Sequence, residues 1–164
     1  MTGGVLVVGY GNPLRTDDGV GWHVAERLAQ DPRLDGVTVL RRHQLTPELA
    51  LDISAAHLVV LVDASHDPRA GTFTVTSAER ANGSATTSSH HLSPPSLIAL
   101  AYELYGRASD VVVVSCGVES LEIGDTLSPV VEAALPAVVD AVAELIASRD
   151  TVPVARAVQE RGDA

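Results

Sequence analysis

A three-layer α/β fold, with a mostly parallel, twisted five-stranded sheet between helices, is predicted from three observations. Short apolar runs alternate with segments of helical period along the chain. Those runs are apolar throughout, as strands are when both sheet faces are covered. The composition is 46% hydrophobic but only 3% aromatic, so Val, Leu, Ile and Ala must fill one core of a size that 164 residues can build.

The first strand is Val5 to Val8, bounded by glycines. A loop from Gly9 to Gly19 follows, and then a helix from about Asp17 to about Gln30 with Val20, Val24 and Leu28 on one face. Val37 to Leu40 is a short second strand. Thr46-Pro47 then reads as a helix start, with Thr as N-cap and Pro in the first helical position. Leu58 to Val62 is a third strand ending at Asp63. Thr72 to Thr76, more polar, is expected toward a sheet edge. Asn82 to Ser89, rich in Gly, Ser and Thr, reads as a flexible loop. Ser93-Pro94 opens a helix carrying Leu97, Leu100, Ala101 and Leu104, and Val111 to Val114 is a buried strand. The last helix starts near Ser128-Pro129, with Val131, Leu135, Val138, Val142 and Leu145 on its apolar face. Pro136 inside it is expected to kink it or shift its start. Residues 1–149 are expected to form a single domain and 150–164 a short charged tail that frays.

Charge and composition exclude several chemistries. A net charge of -10 disfavours nucleic acid and anionic membrane as general partners. All eleven basic residues are Arg, which removes Schiff-base chemistry, lysine general bases and the P-loop lysine. One cysteine, Cys116, makes neither an intramolecular disulfide nor a Cys-rich zinc site, and behind an apolar strand it reads as a small buried hydrophobe. With no signal peptide and no apolar run of membrane-spanning length, a cytoplasmic monomer is expected. There is no G-x-S-x-G elbow to support a serine nucleophile.

Parallel sheets place their sites beyond the carboxyl ends of the strands, which gathers the loop after Val8, Asp63 after Val62 and the segment after Val114. In the first of these, Gly9-x-Gly11-Asn12-x-Leu14-x-x-Asp17-Asp18-Gly19-x-Gly21, two carboxylates open the following helix. Asp17 reads as a residue that caps and charges that helix. Asp18 either does the same or meets a second acid, Asp63, which in turn either binds nearby loop amides or faces a site. His90 and His91 precede a helix, where a histidine is commonly a surface or capping residue. Two carboxylates and one imidazole would form a three-ligand site with open positions, suited to Ni, Zn, Fe or Mn.

The motif Gly11-Asn12-x-Leu14-x-x-Asp17-Asp18-Gly19-x-Gly21 resembles the N-terminal signature of nickel–iron hydrogenase maturation endopeptidases. Val62-Asp63-Ala64 resembles their second acidic motif and Ser89-His90-His91-Leu92-Ser93 their histidine motif. Gly117-Val118-Glu119, Gly124 and Leu127-Ser128-Pro129 resemble their C-terminal region, so the likeness spans Val5 to about Ile146. The resemblance implies a peptidase that removes the C-terminal extension of a nickel-loaded hydrogenase large-subunit precursor. It implies nickel contact through Asp18, Asp63 and His90, with the nickel supplied by the substrate. Asp18 stands where the family often has Glu, and His90 is chosen over His91 because Leu92 then falls two residues after it. Asp18 and Asp63 are the candidate catalytic acids; nickel would polarise the scissile carbonyl or a bound water, or an acid such as Asp18 would act as general base.

One departure concerns the segment after the second strand. Where many members carry an Asp-Gly-Gly-Thr-like stretch, this chain has His43-Gln44-Leu45-Thr46-Pro47-Glu48, similar to the variant in proteases serving bidirectional, NAD-linked hydrogenases. His43 and Gln44, with Gly11 and Asn12, are therefore the expected substrate-recognition residues. Two rival readings use the same features. A non-catalytic nickel-binding assembly factor would need the same ligands. A dinucleotide-binding oxidoreductase would use Gly9-x-Gly11, with Arg41 and Arg42 on a 2′-phosphate, but Leu14 replaces the third glycine and two carboxylates would meet the pyrophosphate.

Overall fold

The computed structural model describes residues 4–82 and 92–151. Five strands, β1 (Val5–Tyr10), β2 (Thr38–Arg42), β3 (Leu58–Ser65), β4 (Phe73–Ala78) and β5 (Asp110–Gly117), form one sheet in the order β2-β1-β3-β5-β4. The first three and β5 are parallel, and β4 joins β5 antiparallel at the edge. The predicted class, strand count and edge position of β4 therefore hold. Residue alternation splits the core into two layers. Val5, Val7, Val60, Val62, Val112 and Val114 face α1 (Val20–Ala29) and α4 (Pro129–Thr151). Leu6, Val8, Val59, Leu61 and Val111 face α2 (Leu49–Ala55) and α3 (Pro94–Tyr105).

Several boundaries differ from expectation for local reasons. Strands β1, β3 and β5 run on toward the site beyond their apolar runs, because backbone pairing continues after the hydrophobic residues stop. Asp63 is thus the sixth residue of β3, opposite Ser115, rather than a residue after the strand. Thr46 does not cap α2. Its carbonyl accepts from the Leu49 amide in a turn, and the regular helix starts at Leu49. Ser93 does cap α3, its hydroxyl accepting from the Ser96 amide, and Gly106 closes the helix at φ 77°. Pro136 leaves α4 unbroken from Pro129, where the helix was expected to begin. That helix continues to Thr151, two residues past the expected domain boundary, and the rest of the tail lies outside the described residues. No helix among the described residues is long and apolar enough to cross a membrane.

The packing of α1 against the sheet depends on a pair of glycines. A Cβ on Gly9 would stand 2.0 Å from the Gly21 carbonyl oxygen, and one on Gly21 would stand 2.5 Å from the Val62 carbonyl oxygen. Helix and strand backbones are therefore in direct contact, and Asp17 and Asp18, just ahead of the helix, are drawn down onto the strand ends. Gly9→Ala should lower stability by about 3 kcal/mol, since the obstructing atoms are backbone. Gly4→Ala, whose Cβ would meet nothing within 4 Å, should change it by less than about 0.5 kcal/mol. Urea midpoints of the two variants check the contrast.

Candidate active site

The loop between β1 and α1 is closed from two directions. Gly11 adopts φ 141°, and a Cβ there would lie 2.0 Å from the Asp18 carbonyl oxygen, so the chain folds tightly back on itself. The Asn12 amide donates to Asp18 Oδ2 at 2.7 Å, and Asn12 Oδ1 accepts from the Leu14 amide at 2.9 Å. The stretch from Leu14 to Thr16 is laced to a distant segment. Gly124 N–H donates to the Leu14 carbonyl at 3.0 Å, and Thr16 N–H donates to the Gly124 carbonyl at 2.9 Å. The Thr16 hydroxyl also donates to the Glu122 carbonyl at 2.6 Å. These bonds hold Thr16 at φ 52°, the one non-glycine residue at positive φ among the described residues.

Asp17 is not a helix cap, contrary to the sequence reading. It is fully buried, and its carboxylate accepts four hydrogen bonds: from the amides of Glu119 (2.9 Å), Ser120 (3.0 Å) and Ser128 (2.8 Å), and from the Ser128 hydroxyl (2.7 Å). Burial alone would raise its pKa, but these donors outweigh that and hold it below the ordinary carboxylate range. The helix entry is made by a 3-10 turn, Thr16–Gly19, with no side-chain cap at either step.

Asp18 faces the other way, into a cleft of about 190 Å³ above the α2/α3 layer. Tyr10, Gly11 and Asp18 form one wall; His43, Gln44 and Leu45 follow β2; Asp63 and Ala64 come from β3, and Leu92 from the approach to α3. The register explains the meeting of the first and third of these groups, because Gly9 pairs with Val62 and so Tyr10 ends beside Asp63. The Tyr10 hydroxyl donates to Asp63 Oδ2 at 3.0 Å. Asp63 Oδ1 is buried and has no hydrogen-bond partner among the described residues. Desolvation pushes the Asp63 pKa up to about 6; the Tyr10 and Ser115 side chains pull it down, and the Asp18 charge pushes it up. Burial, and then the Asp63 charge, raise the Tyr10 phenol far above its usual range, so it stays a proton donor. Burial likewise raises buried Cys116, to about 12, which makes it inert as a thiolate.

The predicted residues separate on this geometry. Asp18, Asp63, Gly11, His43 and Gln44 meet in one cleft. Asn12 does not line it; its amide and side-chain oxygen shape the loop that presents Asp18. His90 and His91 lie outside the described residues, although Leu92 lines the cleft. Among the described residues no group of three His, Cys, Asp or Glu side chains converges as a metal site. Sequence reasoning missed Tyr10, for which no periodicity gives a signal, and Trp22. The indole N–H of Trp22 donates to the Arg42 carbonyl at 2.8 Å, and its ring meets His43 edge-on at 5.1 Å, fixing the wall that carries His43. A larger cleft of about 510 Å³ lies at the other end of the sheet. There Arg149 pairs with Asp110 at 3.5 Å and Arg80 covers the Tyr102 ring at 4.3 Å, so these charged groups are engaged with their own neighbours.

No family profile matches the sequence, and no curated protein is detectably similar to it. Solved structures do match. The nickel–iron hydrogenase maturation protease HycI from Thermococcus kodakarensis superimposes with TM-score 0.69 and 27% identity, over 88% of this chain and 92% of that one. The hydrogenase maturating endopeptidase HybD from Escherichia coli gives 0.65 and 27% over 98% and 99%. A hydrogenase 2 maturation peptidase from a Thaumarchaeota archaeon gives 0.66 and 25% over 88% and 98%. The chain shares its fold, over most of its length, with hydrogenase maturation proteases. The resemblance drawn from its motifs is borne out, and the enzyme class it carries is a peptidase.

The geometry of this maturation-protease fold also disfavours dinucleotide binding. The Asn12 amide, which would cradle a phosphate, is taken by Asp18. Arg41 lies over Trp22 at 5.3 Å and 3.7 Å from Glu26, and Arg42 donates to the Arg41 carbonyl at 2.8 Å.

The two acids should respond to pH in opposite senses. The depressed pKa of Asp17 contributes stability that is complete above the unfolded value of 3.8 and lost as pH falls below it. Asp63 has a folded pKa above its unfolded one, so the folded state holds the extra proton and stability falls as pH rises from 3.8 to about 6. Asp17→Asn should therefore cost about 3 kcal/mol at neutral pH, because an amide replaces one acceptor with a donor facing other donors. Asp63→Asn should stabilise the metal-free protein by about 1 to 2 kcal/mol at neutral pH. That gain should shrink as pH falls from about 6 toward 3.8. Thermal unfolding of the three proteins across this range tests both signs.

Proposed function

We propose that this protein is an endopeptidase that removes the C-terminal extension of a nickel–iron hydrogenase large-subunit precursor, and that it recognises the nickel the precursor already holds. The observation that carries the reading is the meeting of Asp18 and Asp63 in one cleft at the carboxyl ends of the parallel strands. Two carboxylates, one with a buried oxygen lacking a partner among the described residues, suit a divalent cation arriving from outside. Desolvation and the neighbouring Asp18 charge disfavour ionised Asp63, and a cation would remove that penalty.

His90 is the proposed third ligand. In the sequence it precedes Leu92, which lines the cleft, by two residues. His43 and Gln44, which line the same cleft as Asp63, are proposed to contact the precursor and to contribute to substrate choice. In this reading nickel is part of the substrate. When present it supplies a Lewis acid for the scissile carbonyl or an attacking water. The chain's own residues orient it, and Asp18 and Asp63 are the candidate acceptors for a proton from water. An empty precursor offers these acids no charge to grip, which makes nickel loading a checkpoint on cleavage.

Incubation with nickel-loaded precursor should release the C-terminal extension, read by mass spectrometry, while nickel-free precursor stays intact. Asp18→Ala and Asp63→Ala should each lower the rate at least about 100-fold. His90→Ala should act as strongly, and His91→Ala should stay within about threefold of wild type. A precursor that binds but keeps its mass would instead identify a nickel-dependent assembly factor.

A further inference from the structure

We infer that Tyr10 is a positioning residue for nickel recognition: it ties down Asp63 Oδ2 and so reserves Asp63 Oδ1 for the incoming metal. The inference rests on the nickel-recognition reading above and names the residue that prepares the site for it.

A carboxylate at the end of an aspartate turns readily, because its terminal torsion is broad and two-fold. Something must choose which oxygen faces the cleft. The Tyr10 phenol has one proton to give, and it gives it to Oδ2 at 3.0 Å. Oδ1 is left buried with no partner among the described residues, an arrangement that ordinarily costs stability and is therefore kept only where something uses it. The ring is held well enough to act as a clamp. Tyr10 is the last residue of β1, paired to Arg42 across the sheet, and its side chain packs against the Leu6, Val8 and Leu61 layer. On its other side Gly11 N–H donates to the Arg42 carbonyl at 3.1 Å, which fixes the chain as it leaves the strand. The hydroxyl therefore reaches Asp63 from a rigid base, and both groups line the same cleft as Asp18.

Tyr10→Phe keeps the ring and removes only the hydroxyl. Asp63 then loses the donor that holds Oδ2 and keeps only the influence of the Ser115 side chain, so its orientation is less tightly set. The binding of wild-type and variant protein to nickel-loaded and nickel-free precursor, measured by calorimetry or a surface method, separates positioning from a general structural effect. Tyr10→Phe should weaken binding of the nickel-loaded precursor about tenfold and leave binding of the nickel-free precursor within about twofold. Unchanged affinity for the loaded precursor, or equal loss for both precursors, would overturn the inference. A wild-type protein that binds both precursors alike would overturn the nickel reading itself, and the role of Tyr10 would fall with it.

Discussion

Asp17 is the charge around which the active end of the molecule is assembled. A buried carboxylate is costly unless donors surround it, and here four donors do so from two places in the chain, Glu119–Ser120 and Ser128. Those donors belong to the irregular segment between β5 and α4, which lacks a regular hydrogen-bond ladder of its own. The carboxylate gives that segment a fixed partner, and the segment in turn clamps the first loop through Gly124 and Glu122. Ser128 illustrates the economy of the contact: its carbonyl accepts from Val131 and Glu132 at the start of α4, while its amide and hydroxyl go to Asp17. Without the buried charge, the two loops would have little reason to adopt a common geometry.

Two adjacent acids thereby acquire opposite environments. The 3-10 turn sends Asp17 inward and leaves Asp18 facing the cleft, bonded to its own loop through the Asn12 amide. A regular helix start would have placed both on the solvent side of the first turn, as the sequence pattern alone implies. The motif is better understood as one buried structural acid and one half-buried, cleft-facing acid in tandem. The close backbone approach of Gly9 and Gly21 brings the pair down to the level of the strand ends.

The sheet and its layers were legible because buried parallel strands require continuous apolar runs, and Leu58–Val62 and Val111–Val114 are of that kind. Strand ends were less legible. Asp63, Ala64 and Ser65 stay in β3 through backbone pairing to Ser115, Cys116 and Gly117, which side-chain hydrophobicity does not report. Asp63 could be nominated because an acid after an apolar run stands out, Asp18 because it sits in a glycine-rich loop after the first strand, and the family resemblance joined them. The role of Asp17 could not be read in this way. Its partners are more than 100 residues away, and most of what it binds is backbone amide, which carries no residue identity. Tyr10 was hidden for a similar reason, since its meaning comes from the pairing of its neighbour Gly9 with Val62, which brings it beside Asp63, rather than from its own surroundings in sequence.

The electrostatics of the cleft favour a cationic visitor over a neutral one. Asp18 and Asp63 repel one another, Asp63 is partly desolvated, and the chain as a whole is strongly acidic. Hydrogen bonds could have relieved this tension, as they do for Asp17, but among the described residues the Tyr10 hydroxyl reaches Oδ2 while Oδ1 has no partner. The difference between buried Asp17 and half-buried Asp63 is therefore informative. Where the carboxylate serves the fold, four donors surround it; where it lines the cleft, one oxygen has no partner among the described residues. A protein selected only for stability would gain by satisfying or removing the second group, since its ionised form weakens the fold at neutral pH. Retaining it makes sense if a positive charge completes the site during work. On the proposed reading that charge is the precursor's nickel, and the deficit built into Asp63 is what makes a loaded precursor distinguishable from an empty one.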